Sequence, residues 1–94
     1  MSSLFTRDEL ERYSKKFICF LYEITSGYLN KSHKAIDIFF QAISTGAYER
    51  PSYGYQAANE IVRNLTTEGL VEIISTSDVR LTSKGLEKCK KDCR

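Results

Sequence analysis

Gln56, Asn59 and Arg63 lie three and four residues apart, a spacing that turns their side chains toward one side of a helix. A carboxamide can form paired hydrogen bonds to the edge of adenine, and a guanidinium can do the same to guanine. Tyr53 and Tyr55, just ahead of them, carry hydroxyls that suit phosphate oxygens, although their rings would serve equally to pack over a helix start. Arg80 and Lys84 are cations of the kind that meet a phosphate or a narrow groove. The plainer reading of the same row is that it keeps an exposed helix in solution. The helix alone does not separate the two, and the elements around it have to decide.

Sulfur and imidazole chemistry is sparse. Cys19, Cys89 and Cys93 are the three cysteines, and His33 is the one histidine. There is no CxxC or CxxH spacing, so neither a structural zinc site nor any other metal or cofactor is expected. His33, without a carboxylate or thiol at a useful spacing, reads as a loop side chain. Cys89 and Cys93 are one helical turn apart and face the same way, where a bond between them would fit poorly and constrain little. The odd count leaves a link to a second subunit open, through Cys89, Cys93 or Cys19. No glycine-rich phosphate loop, nucleophile elbow or histidine–carboxylate motif occurs, and an enzyme is not expected.

The positioning elements follow from the apolar pattern. Ninety-four residues with 41% hydrophobic content, five glycines and one proline make one domain, 1–94, with a modest core. No apolar run approaches the roughly 18 residues of a membrane span. The start MSSLFTRDELERYSKK lacks the basic end and apolar centre of a signal peptide, so an intracellular protein away from membranes is expected. Thr6 and Glu9 have capping-box spacing, with Phe5 and Leu10 placed as a staple. Leu10, Tyr13, Phe17, Phe20, Leu21 and Ile24 then form the stripe of a first helix that stops at Gly27. Ile18, Cys19 and Tyr22 lie off that stripe. A helix apolar on more than one side is covered on more than one side, most simply here by a second subunit.

Residues 33–35 suit a brief strand. Residues 35–44 form a second helix on Ile36, Phe39, Phe40 and Ile43, ended by Gly46. After a loop, with Ser52 as candidate cap, a third helix runs from Tyr53 or Tyr55 to Glu68, with Ala58, Ile61, Val62 and Leu65 inward. Two strands follow, 70–75 and 79–82, around the turn Thr76-Ser77-Asp78, with Val71, Ile73, Val79 and Leu81 toward the core. A last helix spans 83–94, its stripe Leu86, Cys89 and Cys93.

Residues 1–79 hold eight basic and ten acidic side chains, whereas 80–94 hold six basic (Arg80, Lys84, Lys88, Lys90, Lys91, Arg94) and two acidic. A basic end suits phosphate. Helix, tight hairpin, helix is the second half of a winged-helix domain. The stretch LTTEGLVE…RLTSKG also resembles the MarR-like winged-helix regulators, whose sequences often run L-x-x-x-G-L-[VI]-x … R-L-T-x-K-G. Small MarR-like proteins of archaeal viruses are similar in length and in their cysteines. The resemblance implies a mostly helical α+β fold: a winged helix-turn-helix of three core helices, a β-hairpin wing and a C-terminal helix. It further implies a homodimeric regulator of transcription that binds double-stranded DNA through the third helix and the wing. Set against this is a winged-helix fold used for protein–protein contact, since fold does not fix function. Glu60, Glu68 and Asp78 favour that second reading.

Overall fold

Thr6 opens the chain's first helix by the reciprocal bonding its spacing promises: its hydroxyl accepts from the Glu9 amide at 3.2 Å, and Glu9 Oε1 accepts from the Thr6 amide at 2.9 Å. The computed structural model describes residues 5–43, 51–75 and 78–93, with 51–53 described by backbone alone. Helix α1 spans Arg7–Thr25. Phe5 is buried ahead of it, its ring 5.2 Å from that of Tyr13. The inward face is Ser14, Phe17, Ile18, Leu21 and Thr25, turned from the expected stripe so that Leu10, Tyr13, Phe20 and Ile24 are half-buried along its side. Threonine and serine can sit inward because each is bonded. Thr25 Oγ1 donates to the Leu21 carbonyl at 2.7 Å, and Ser14 Oγ accepts from Asn64. The helix stops one residue earlier than Gly27, with Ser26 itself left-handed at φ 54°.

A two-residue strand β1 (His33–Lys34) leads directly into α2 (Ala35–Ala42). The expected end of α2 at Ser44 and Gly46 lies outside the described residues. Helix α3 spans Pro51–Thr67, beginning two to four residues before its expected start. Proline is well suited to a first helical position, since the amide it lacks would have no partner there. Ser52 therefore lies inside the helix and is not its cap. The inward face of α3 is Ala57, Ala58, Ile61, Val62 and Leu65, with Gly54 buried against the Phe40 ring of α2.

The end of α3 explains the spelling LTTEGL. Gly69 takes φ +76°, its amide donates to Thr66 O at 3.0 Å, and the Leu70 amide reaches Leu65 O at 2.9 Å. That pair of bonds is a Schellman closure, and buried Leu65 and Leu70 supply its apolar contact. Strands β2 (Val71–Ile73) and β3 (Asp78–Leu81) follow, and the three antiparallel strands run in the order β1-β3-β2. In the register, Val71 faces Leu81, Glu72 faces Arg80 and Ile73 faces Val79. Val71, Val79 and Leu81 are buried, but Ile73 is 55% exposed. Its alternation is right and its cover is missing: β2 is an edge strand, and its far end runs past the core. Of the turn between the strands, Thr76 and Ser77 lie outside the described residues, and Asp78 belongs to β3 rather than the turn.

Helix α4 (Ser83–Asp92) closes the fold. Thr82 holds three joints at once. Its hydroxyl caps the helix by accepting from the Gly85 amide at 3.0 Å and donates to Gly69 O at 2.6 Å, while its amide donates to Leu70 O at 3.1 Å. The fold is thus α+β and mostly helical, with four helices and a three-stranded antiparallel sheet among the described residues. Its core runs from Phe17, Leu21, Ile38 and Phe39 through Ile61 to Val79 and Leu81.

The second apolar side of α1 is covered within the chain. Ile18 is buried, the Cys89 thiol of α4 contacts its carbonyl at 3.8 Å, and Cys19 is joined to Cys93 with 5.4 Å between their α-carbons. Within the chain, α4 supplies cover for this side of α1, and Cys19 and Cys93 are linked to each other.

Candidate nucleic-acid interface

Helix α3 brings the expected polar row together. At 100° per residue, Gln56, Asn59 and Arg63 fall within an arc of about 60°, and all three are exposed. Between Gln56 and Arg63 the helix advances about 10 Å, or roughly three base-pair steps of a duplex. The opposite face of α3 is the buried one, so the row points squarely away from the core. Tyr55 is 55% exposed beside it, whereas the Tyr53 side chain lies outside the described residues. Glu60 is half-buried near the middle of the same face and brings negative charge close to the row.

One long-range contact holds that face in place. Asn64 Nδ2 donates to Ser14 Oγ at 3.0 Å, tying α3 to α1 on the inner side. The hydroxyls of Thr66 and Thr67 donate back to the carbonyls of Val62 and Arg63, so neither projects as a free donor at the end of the row. In the sequence Asn64 is one more polar residue of the helix. Its partner lies 50 residues away, and no local pattern announces such a pair.

Arg80 is not the unencumbered cation that its place after the turn suggested. Strand register sets it directly across from Glu72, and its Nε is hydrogen-bonded to the Glu72 carboxylate. Both side chains remain more than a third exposed, so the pair is solvent-screened and contributes little to stability. What it does is local: the hairpin presents a neutralised pair and the carboxylate of Asp78. The signal was available, since Glu72 and Arg80 sit at matching distances either side of the turn, but it needed the register to be read.

Lys84 is exposed, and its side chain lies against Gly69, 3.7 Å from where a β-carbon on that glycine would stand. It therefore marks the C-terminal end of α3, on the order of 17 Å along the helix axis from Gln56. Farther along α4, Lys88 pairs with Asp92 at 3.4 Å, and Lys90 and Lys91 are exposed. Lys84 thus stands at the C-terminal end of α3 and the amide row toward its start. Arg63 stands between them.

Of the thiols, Cys89 is buried and unbonded to sulfur. Burial, reinforced by Asp92 and opposed by Lys88, pushes its pKa up to about 11. A thiol held protonated is a poor nucleophile. Among the described residues no group of three or more metal-ligating side chains converges, and no helix is long and apolar enough to cross a membrane.

Comparison with protein-family models, with curated proteins and with solved structures returns no match.

Proposed function

We propose that the chain is a winged-helix domain of a homodimeric transcription regulator that binds double-stranded DNA sequence-specifically, with α3 in the major groove and the β2–β3 hairpin beside the flanking backbone. The observation that carries this reading is the exposure of Gln56, Asn59 and Arg63 on one arc of a helix that is rigidly backed by the core. Amide and guanidinium groups at this spacing have the right donors and acceptors for adenine and guanine edges. The order of elements, helix, hairpin, helix, agrees with the resemblance to MarR-like regulators. Lys84 and the lysines of α4 supply charge for phosphates. The test is a gel shift with random duplex DNA over a range of salt concentrations, followed by selection of bound sequences. A regulator binds every duplex weakly with a steep salt dependence and enriches one short motif.

A second reading is favoured by the hairpin. With Arg80 paired to Glu72, Asp78 beside them, and Ile73 and Ile74 exposed at 55% and 45%, the hairpin surface resembles a protein contact more than a phosphate contact. In that case the same domain serves as a protein–protein interaction module. Absence of duplex binding at low salt selects it.

A further inference from the structure

Helix α4 is a short element fastened at both ends by different chemistry. At its start, Thr82 caps it and is bonded to the backbone of Gly69 and Leu70. At its finish, Cys93 is joined to Cys19 in the middle of α1. Between the two fastenings the helix buries little: Gly85 and Cys89 are its fully buried residues, and four of its ten residues are lysines, all exposed. A ten-residue helix of this composition is marginal in water when left to itself. A cavity of about 280 Å³, lined by Ser14, Ile18, Asn64, Leu65 and Cys89, also separates it from a close-packed seat on α1 and α3.

We propose that Cys19–Cys93 is a reducible clasp whose opening releases the C-terminal half of α4 from α1 and uncovers Cys89, while the rest of the fold stays closed. Cys19 and Cys93 are each partly exposed, so a small dithiol can reach them. One of its thiolates attacks a sulfur of the bond and displaces the other cysteine as a thiolate, which takes up a proton. The second thiol of the reagent then resolves the mixed disulfide. The protein gains two electrons and two protons, and the reagent leaves as its own cyclic disulfide. Cys89 takes no part in the exchange, because burial keeps it protonated. What it loses is its cover: its contact with the Ile18 carbonyl depends on α4 lying along α1. The Thr82 joint stays closed on reduction, since it contains no sulfur, so the hinge of the movement is the first turn of α4. The lysines at positions 88, 90 and 91 move with the released half, which makes the placement of the basic segment a redox-dependent property.

The experiment compares oxidised full-length chain with the same material treated with dithiothreitol, using maleimide labelling by mass and amide hydrogen exchange. Intact mass first establishes that the oxidised chain carries the bond; a chain that stays fully thiol after mild oxidation overturns the proposal. In the oxidised form Cys89 should remain unlabelled and the amides of residues 87–93 protected. In the reduced form Cys89 should label at least roughly tenfold faster, and those amides should lose their protection, because local opening sets both rates. The α3 amides of Ile61, Val62 and Leu65 should stay protected throughout. The single variant Cys93→Ser should behave as the reduced form with or without dithiothreitol. Reduced protein in which Cys89 stays unlabelled and α4 stays protected overturns the clasp. Loss of protection in α3 together with α4 overturns it too, by showing that the bond holds the whole domain rather than one helix.

Discussion

Gly85 stands so close to Leu70 that a β-carbon on it would lie 1.9 Å from the Leu70 carbonyl oxygen. That oxygen already accepts the Thr82 amide, so it cannot swing aside without breaking the joint between hairpin and helix. Gly85→Ala gains helix propensity worth up to about 1 kcal/mol but forces α4 away from Leu70. A net loss of roughly 1–3 kcal/mol is expected, from the overpacking term. Urea denaturation should show a lowered midpoint with an unchanged slope. An alanine variant as stable as the parent would mean that α4 approaches less closely than this.

The three cations tied to the proposed DNA contact should behave differently from one another. Arg63→Ala should cost roughly 1–3 kcal/mol on a selected site and relax preference at one base position. Lys84→Ala should weaken selected and scrambled duplexes alike and reduce the salt slope by about one. Arg80→Ala should weaken both duplexes alike by leaving the Glu72 carboxylate uncompensated, with no change in base preference. Glu72→Ala should instead strengthen binding to all sequences, by freeing Arg80. Titration of the four variants on both duplexes at several salt concentrations separates these outcomes. Should Arg63→Ala leave the ratio of specific to nonspecific affinity untouched, α3 does not read bases.

Assembly and disulfide formation should prove independent. A homodimer gives a scattering mass near twice the 10.8 kDa of the chain. Since Cys19 bonds Cys93 within one chain, non-reducing electrophoresis should nevertheless give a monomer band, shifted only slightly by reductant. The half-buried Phe20 and Ile24 on α1 are the residues on which a dimer would rest, and Phe20→Ser should shift the scattering mass toward the monomer. A covalent dimer on the gel would show that the cysteines pair between subunits after all.

Acid should loosen the start of α1 through Glu9. Hydrogen bonds from the Thr6 backbone and then its side chain, with Arg12 adding to them, hold the Glu9 carboxyl below the usual carboxylate range. A folded-state pKa that is lowered stabilises above the unfolded value, and that contribution disappears as pH falls through the folded one. The Thr6 amide resonance should therefore move with a midpoint below that of an ordinary glutamate. In Glu9→Gln that movement should be absent, while the capping bond donated by the residue 9 amide to the Thr6 hydroxyl persists. A midpoint at or above the ordinary value would count against the capping geometry.

What could be read in advance was mostly local. The capping box at Thr6, the strand at His33, the Gly69 closure and the inward face of α3 each depend on residues within one or two turns of each other. Such patterns are written directly in residue spacing. Longer-range relationships were not. Helix α3 begins early because Pro51 tolerates a first helical position, a point that the neighbouring Gly54 obscured. Ile73 alternates correctly but has no neighbour to cover it at the sheet edge. Arg80 finds Glu72 only once the register is known, and Cys19 finds Cys93 only once α4 folds back on α1. The pattern RLTSKG that carries the likeness to MarR-like regulators is itself largely structural. Thr82 and Gly85 build the joint between hairpin and helix, so their presence speaks to architecture, whereas the α3 row has to speak to chemistry.

The bond between Cys19 and Cys93 makes a covalent ring of everything from the middle of α1 to the end of α4, across a sequence separation of 74. Tension applied between Phe5 and Cys93 would pass from Cys19 straight through the disulfide to Cys93 and leave the rest of the ring slack. Only the fourteen steps ahead of Cys19 could pay out, to a length of about 50 Å at full extension, against roughly 310 Å from Phe5 to Cys93 with the ring opened. Among the described residues, three of the four helices and all three strands are shielded from being drawn out by their ends, as when an unfolding machine threads a protein from a terminus.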